Sequence, residues 1–338
     1  VAGVAGANRS GRRTPLLVVG AALAAVAVVV LLVWRHDGDP GAGPEATGPN
    51  PLAPLTGLEA DSAAAAARCA VSVKIGNTAD ARPQFGIDAA DVVYEEVVES
   101  GITRLIAVYQ SHAPEQVGSV RSVRATDGSI LWPLRGVFAF SGGDAEGLAS
   151  LEGVPVVALD EQAAGDLMFR GPGRAPHNLY ARVDRIYDRC QDPAPTPLFT
   201  YRDPATPPGG TAVTSATVGF GRGYDTGWTW DADAERWQRS IFGEPDTGPD
   251  GSRVGAQNVV VMEVPYLTNP SGGTPEADML GEGLVHVLTS GHVVEGTWRR
   301  PSLQRAAELV VDARPIPLTP GTTWVELLPA GNPIATVR

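Results

Sequence analysis

The chain has 338 residues and a net charge of −12, a balance that excludes nucleic acid as a partner because phosphates select basic surfaces. No serine elbow, HExxH, nucleotide-phosphate loop or CxxC pattern occurs, so no motif calls for a cofactor or a metal. Two cysteines, Cys69 and Cys190, suit one disulfide in an oxidising compartment, against the alternative of two unrelated buried thiols.

Residues 1–14 form a basic segment with Arg9, Arg12 and Arg13, and no acidic residue precedes Trp34. Pro15 to Trp34 is uncharged and apolar throughout. Twenty such residues make a helix of roughly 30 Å, enough to cross a bilayer. Positive charge on the short N-terminal side keeps that side cytoplasmic, which predicts a single-pass anchor in the cytoplasmic membrane with the body outside. The rival reading, a cleaved signal peptide, wants a shorter apolar core and a small-residue cleavage site, and Trp34-Arg35-His36 is a poor one. Residues 35–54 are rich in Pro and Gly and read as a tether.

Roughly 285 residues remain, which suits two domains. A Pro-rich break at 196–210 separates a 55–195 domain from a 211–338 domain. In the first, Val71 to Ile75 reads as a strand. Val92 to Glu99 and Ile102 to Gln110 read as a hairpin closed by Ser100-Gly101. Helices are expected over Ala125 to Leu134, Ala145 to Leu151 and Ala181 to Cys190, with strands at Val137 to Ser141 and Val156 to Asp160. This alternation predicts an α+β or α/β layered domain. The second domain reads as mainly β, with strands near 212–220, 227–231, 236–242, 258–265, 284–289, 292–299 and 322–328, arranged as a sandwich or partly open barrel.

A two-residue turn at Ser100-Gly101 sets Val97 against Arg104 and places Glu95, Glu99 and Arg104 on one face of the hairpin. That predicts a charged site, with Glu95 or Glu99 as candidate acid or base, or else a structural ion pair. Lys74 is the only lysine and, with Asn77, is a candidate ligand contact. Arg121 and Arg124 lie three apart beside Ser122, and paired guanidinium forks suit carboxylates or phosphates; the alternative is that they bind the chain's own acids, such as Asp127. Ser141-Gly-Gly-Asp144 joins a strand to a helix and reads as an anion turn, or as a plain turn capped by Asp144. His177 beside Asn178 is the candidate catalytic histidine, or a helix cap.

In order, these segments resemble the YerB-like family, exported bacterial proteins with a domain of unknown function. The likeness rests on Val73-Lys74-Ile75-Gly76-Asn77, Ala81-Arg-Pro-Gln-Phe-Gly86 and Ala90-Asp-Val-Val-Tyr-Glu95. It continues through Glu99-Ser-Gly-Ile-Thr-Arg104, Val117-Gly-Ser-Val-Arg-Ser-Val-Arg124 and Pro176-His-Asn178. In the second half it covers Gly291-His-Val-Val-Glu-Gly-Thr-Trp298 and Leu318-Thr-Pro-Gly-Thr-Thr-Trp-Val325. The resemblance implies two linked domains on an outward-facing anchor and supplies no reaction. Many relatives look lipid-anchored through an N-terminal Cys, whereas this chain carries a transmembrane pattern. The function expected first is a binding or adaptor protein of the envelope, acting on an envelope protein or wall glycan, with Trp228, Trp230, Trp237, Trp298 and Trp324 as contact surfaces or core. The alternatives are an enzyme on wall glycan or peptide, using Glu95 and Glu99 with an arginine clamp, and a solute-binding protein.

Overall fold

A computed structural model describes residues 50–171, 173–268 and 273–338. The basic segment, the anchor and most of the tether lie outside the described residues. Among the described residues no helix is long and apolar enough to cross a membrane.

The first half supplies eight strands: β1 (Val71–Gly76), β2 (Val92–Val97), β3 (Thr103–Tyr109), β4 (Val117–Gly118), β5 (Val137–Ala139), β6 (Val157–Leu159), β7 (Met168–Arg170) and β8 (Leu179–Ala181). Helices are few and short; Asp127–Leu131 and Ala145–Ala149 have five residues each. Between Ala181 and Cys190 the expected helix is present but shorter, a strand end followed by an α-helix, Val183–Ile186, and a 3-10 turn, Tyr187–Arg189. Leu179, Tyr180 and Ala181 are all buried, and pairing with β4 and β7 draws them into a small sheet.

One large mixed sheet runs through both halves. From Asn258–Val264 to one edge its order is Asn258–Val264, Thr323–Pro329, β2, β3, β1, β5, β6. Thr323–Pro329 pairs in parallel with both β2 and Asn258–Val264, so a strand from the end of the chain stitches the two halves together. The Ser290-Gly291 turn joins Gly281–Thr289 to His292–Arg300 with Thr289 opposite His292, a two-residue hairpin. A second, antiparallel sheet takes Thr226–Asp231, Arg236–Ile241 and Ser215–Val218, with Ile334–Val337 on its edge. The outcome is a mixed, sheet-rich and mostly β fold.

The central strands of the large sheet, β1, β2, β3 and β5, are buried on both faces, as their near-continuous apolar runs require. Val93, Leu105 and Ala107 join a core on one side, while Tyr94, Ile106 and Val108 join a core on the other. Trp228, Trp237, Trp298 and Trp324 are core residues too, and of the five tryptophans considered as contact surfaces only Trp230 is partly open. The disulfide Cys69–Cys190 closes the first half across 121 residues.

The β2–β3 hairpin differs from the expected one by a single residue. Val98 N–H bonds the Ile102 carbonyl, so the turn holds three residues, Glu99, Ser100 and Gly101. Ser100 and Gly101 both take positive φ, 62° and 70°. Glu96 therefore faces Arg104, and Glu95 faces Leu105. A one-residue slip sends every side chain to the other face. Glu95 and Arg104 consequently lie on opposite sides of the sheet.

Candidate functional site

Glu99, freed from the strand by the longer turn, is the acid that Arg104 reaches. It accepts from Arg104 Nη2 at 2.7 Å and from Arg124 Nε at 2.7 Å. Burial alone would raise its pKa, but the Arg124 hydrogen bond and the Arg104 charge prevail and hold it down at about 2. Arg104 also donates to the Ser122 carbonyl at 3.0 Å, and Arg124 to the Val123 carbonyl at 2.7 Å. Both arginines are thereby occupied by the chain itself.

Arg121 is not. Its backbone bonds the Lys74 carbonyl, yet its half-buried guanidinium makes no ion pair among the described residues. Burial, and then the charge of Arg124, depress its pKa. Its stem crosses Gly76, where an added Cβ would stand 3.0 Å from Arg121 Cγ and 3.0 Å from Ala81 Cβ. Ser122 and Ser141 hydroxyls lie close by, 3.5 Å apart.

Beneath this cluster, Lys74 is fully buried between two acids. Its Nζ bonds Glu96 and lies 2.6 Å from Asp127 Oδ1. Burial drives the Asp127 pKa up to about 8, with Lys74 opposing and Glu96 adding to the rise. Asp127 Oδ2 accepts from the Arg124 backbone N–H at 2.9 Å, which ties the inner triad to the outer cluster. Lys74 is thus a structural charge with no access to a ligand.

On the other face of β2, Glu95 is fully buried and saturated. It accepts from Arg239 Nη2 at 2.7 Å, Thr103 Oγ1 at 2.8 Å and Asn77 Nδ2 at 3.0 Å. Arg239 in turn binds Asp246 at 2.6 Å, and Arg82 closes the network by pairing with Asp246 and donating to Asn77 Oδ1 at 2.9 Å. Glu326, beside Glu95 in register, accepts from Trp228 Nε1 at 2.7 Å; burial first, then the Glu95 charge, push its pKa up to about 8. Glu95 and Glu99 therefore share no face on which both could meet one substrate.

Arg239, Asp246, Glu96 and Glu326 escaped the sequence reading. One signal was available for Arg239. In Arg236–Ile241 it falls on the same alternate positions as Trp237 and Ile241, and a charge among core positions announces a buried partner.

Next to Arg121, across Ala81, opens a cleft of about 520 Å³ lined by Asp80, Arg82, Phe85, Arg174, His177 and Tyr180. Phe85 stands edge-on to Tyr180 with ring centroids 5.2 Å apart. His177 faces this cleft; its pKa is lowered by burial, then by Arg121, with Asp80 acting in the opposite sense. Its Nδ1 is buried without a partner. Asn178 instead shapes the loop, accepting from Arg170 at 3.1 Å. A larger hollow of about 620 Å³ lies between residues 196–200 and 304–316, away from every site residue singled out in the sequence. Among the described residues no group of three His, Cys, Asp or Glu could hold a metal ion.

Comparison with known proteins adds context to this geometry. The family model described as "Protein of unknown function (DUF3048) N-terminal domain" matches residues 55–195, and its C-terminal counterpart matches residues 216–325. A Bacillus subtilis protein named "Putative lipoprotein YerB" is 28% identical over 289 residues, covering 82% of this chain and 86% of that protein. The crystal structure of YerB from Bacillus subtilis superposes with a TM-score of 0.76 at 26% identity, covering 86% of this chain and 100% of that one.

Proposed function

The chain belongs to the DUF3048 family of YerB-like proteins, and on that premise we propose that its body is an extracytoplasmic binding module of the cell envelope that captures an anionic group at Arg121. The lipoprotein name of the Bacillus relative and the Cys69–Cys190 disulfide favour a body held at the outer side of a membrane. The anchor at residues 15–34 would hold it there. The partner is an envelope protein or wall material that carries carboxylate or phosphate.

One observation carries this reading. Of the three arginines gathered around Glu99, two are spent on that carboxylate and on backbone carbonyls, and Arg121 keeps its donors for something else. A planar guanidinium held half-buried by its stem, with like charge behind it, is poised for a carboxylate or phosphate. Glu99 at a pKa of about 2 stays ionised at neutral pH, which suits a positioning role for Arg104 and Arg124 better than proton transfer.

Calorimetric titration with inorganic phosphate tests the reading. Saturable binding by the wild type that disappears in Arg121→Ala, with folding intact, supports it. Equal heats from both proteins, or none from either, would refute it.

A further inference from the structure

The cleft beside Arg121 has a polarity of its own. Asp80 is exposed on one wall and Arg174 is exposed too, and neither makes an ion pair among the described residues. Arg82 also lines the cleft, but Asp246 and Asn77 hold its guanidinium, so it serves as wall and not as a free cation. His177 lies within electrostatic reach of both Arg121 and Asp80. Burial, then Arg121, lower its pKa, and its buried Nδ1 lacks a partner among the described residues. Phe85 and the exposed Pro83 and Pro176 give the remaining wall an apolar character.

A ligand that satisfies this lining, and the Arg121 guanidinium beside it, needs a cation for Asp80, anions for Arg174 and for Arg121, and a neutral hydrogen-bonding group for His177. A bare phosphate meets one of these demands and is opposed by Asp80. A short peptide meets all of them. Its ammonium answers the aspartate, its carboxylates answer the arginines, and its amide answers the imidazole. A volume of about 520 Å³ lies within the usual range for small-ligand sites, roughly 300–1,000 Å³, and holds a few residues.

We infer that this cleft binds a short acidic peptide with a free amino terminus, its ammonium at Asp80 and its carboxylates at Arg121 and Arg174. The inference rests on the anion-binding reading of Arg121 and specifies the ligand class for it. Net charge does not oppose such a ligand locally, because Arg174 in the lining balances Asp80 and Arg121 adds a positive charge beside the cleft.

The test uses the full chain in detergent solution and three probes: inorganic phosphate, the dipeptide Ala-Glu, and N-acetyl-Ala-Glu. Ala-Glu is expected to bind about tenfold more tightly than phosphate. Acetylation, which removes the ammonium, should cost about threefold, in keeping with one exposed ion pair. Asp80→Asn should abolish the difference between the free and acetylated dipeptides while phosphate binds no more weakly than to the wild type and the melting temperature stays unchanged. If phosphate binds through Arg121 but Ala-Glu and its acetylated form bind alike to the wild type, the peptide inference is wrong and the anion reading survives. If no probe binds, both are wrong.

Discussion

Glu95 and Glu96 are consecutive residues of one strand, and each ends in a separate, fully buried charge network on opposite faces of the sheet. Glu95 meets Arg239 from the second sheet at 2.7 Å, whereas Glu96 meets Lys74 from β1, across the intervening β3. Two buried ion-pair systems back to back leave the strand no freedom to slip, since a one-residue shift would strand both carboxylates in apolar core. The Glu96 network extends through Lys74 and Asp127 to the Arg124 backbone. The sheet thus fixes the arginine cluster at the surface from beneath.

Removing the cation from either network should be severe. Arg239→Met leaves Glu95 and Asp246 buried without their shared partner, at a cost of about 3–5 kcal/mol. Lys74→Met should cost a similar amount, softened where Asp127 takes up a proton. Urea unfolding midpoints of the two variants measure this; a loss below about 1 kcal/mol in both would contradict the networks as described.

Stability should fall as pH rises from about 4 to 8. Asp127 and Glu326 have folded pKa values near 8, above the ordinary carboxylate range of the unfolded chain. In that window the folded state binds more protons, so raising the pH favours unfolding. Below it the sign reverses. Glu99, held at about 2, supplies stability present above its unfolded pKa and lost as pH falls toward 2, a modest term for a partly exposed group. Thermal melts should therefore peak near pH 4–5, and Glu326→Gln should flatten the slope on the alkaline side. A melting temperature that rises between pH 5 and 8 would contradict this.

The disulfide should contribute through the unfolded chain. Cys69 and Cys190 are 121 residues apart, and a cross-link over a loop that long restricts the unfolded ensemble by about 2–4 kcal/mol. The Cys69→Ser, Cys190→Ser double variant should lose about that much in denaturant titrations, while reduction of the wild type should reproduce the loss. An unchanged midpoint would show that the bridge is energetically idle.

Gly76→Ala should act on Arg121. Its new methyl would stand 3.0 Å from both Arg121 Cγ and Ala81 Cβ, and the flexible arginine stem is the part able to give way. Phosphate affinity should fall several-fold with a stability loss of about 1 kcal/mol or less. Unaltered affinity would mean that the position of the Arg121 stem does not matter.

Local patterns were legible in the sequence. β-branched runs located β1, Asn258–Val264 and the Gly281–Arg300 hairpin, and the Glu99–Arg104 pair was within reach of a reading across one turn. The three-residue turn was not legible, because Ser100-Gly101 is the signature of a two-residue turn and only the Val98–Ile102 bond shows that Glu99 belongs to the loop. That slip alone misplaced Glu95. Its true partner, Arg239, lies 144 residues away on another sheet, and pairing over such a distance leaves no local pattern. Short strands such as Glu308–Val311 and Ile334–Val337 were also missed, since four residues carry too little periodicity to separate strand from loop.

The most direct test of the account is to follow the arginine Nε–H resonances of Arg104, Arg121 and Arg124 by NMR during a phosphate titration. The account predicts that the Arg121 signal moves and saturates while the other two, already bound to Glu99 and to backbone carbonyls, stay in place. If Arg121 stays unmoved, or all three drift together without saturation, Arg121 is not the anion-binding residue and the binding function assigned to this face is wrong.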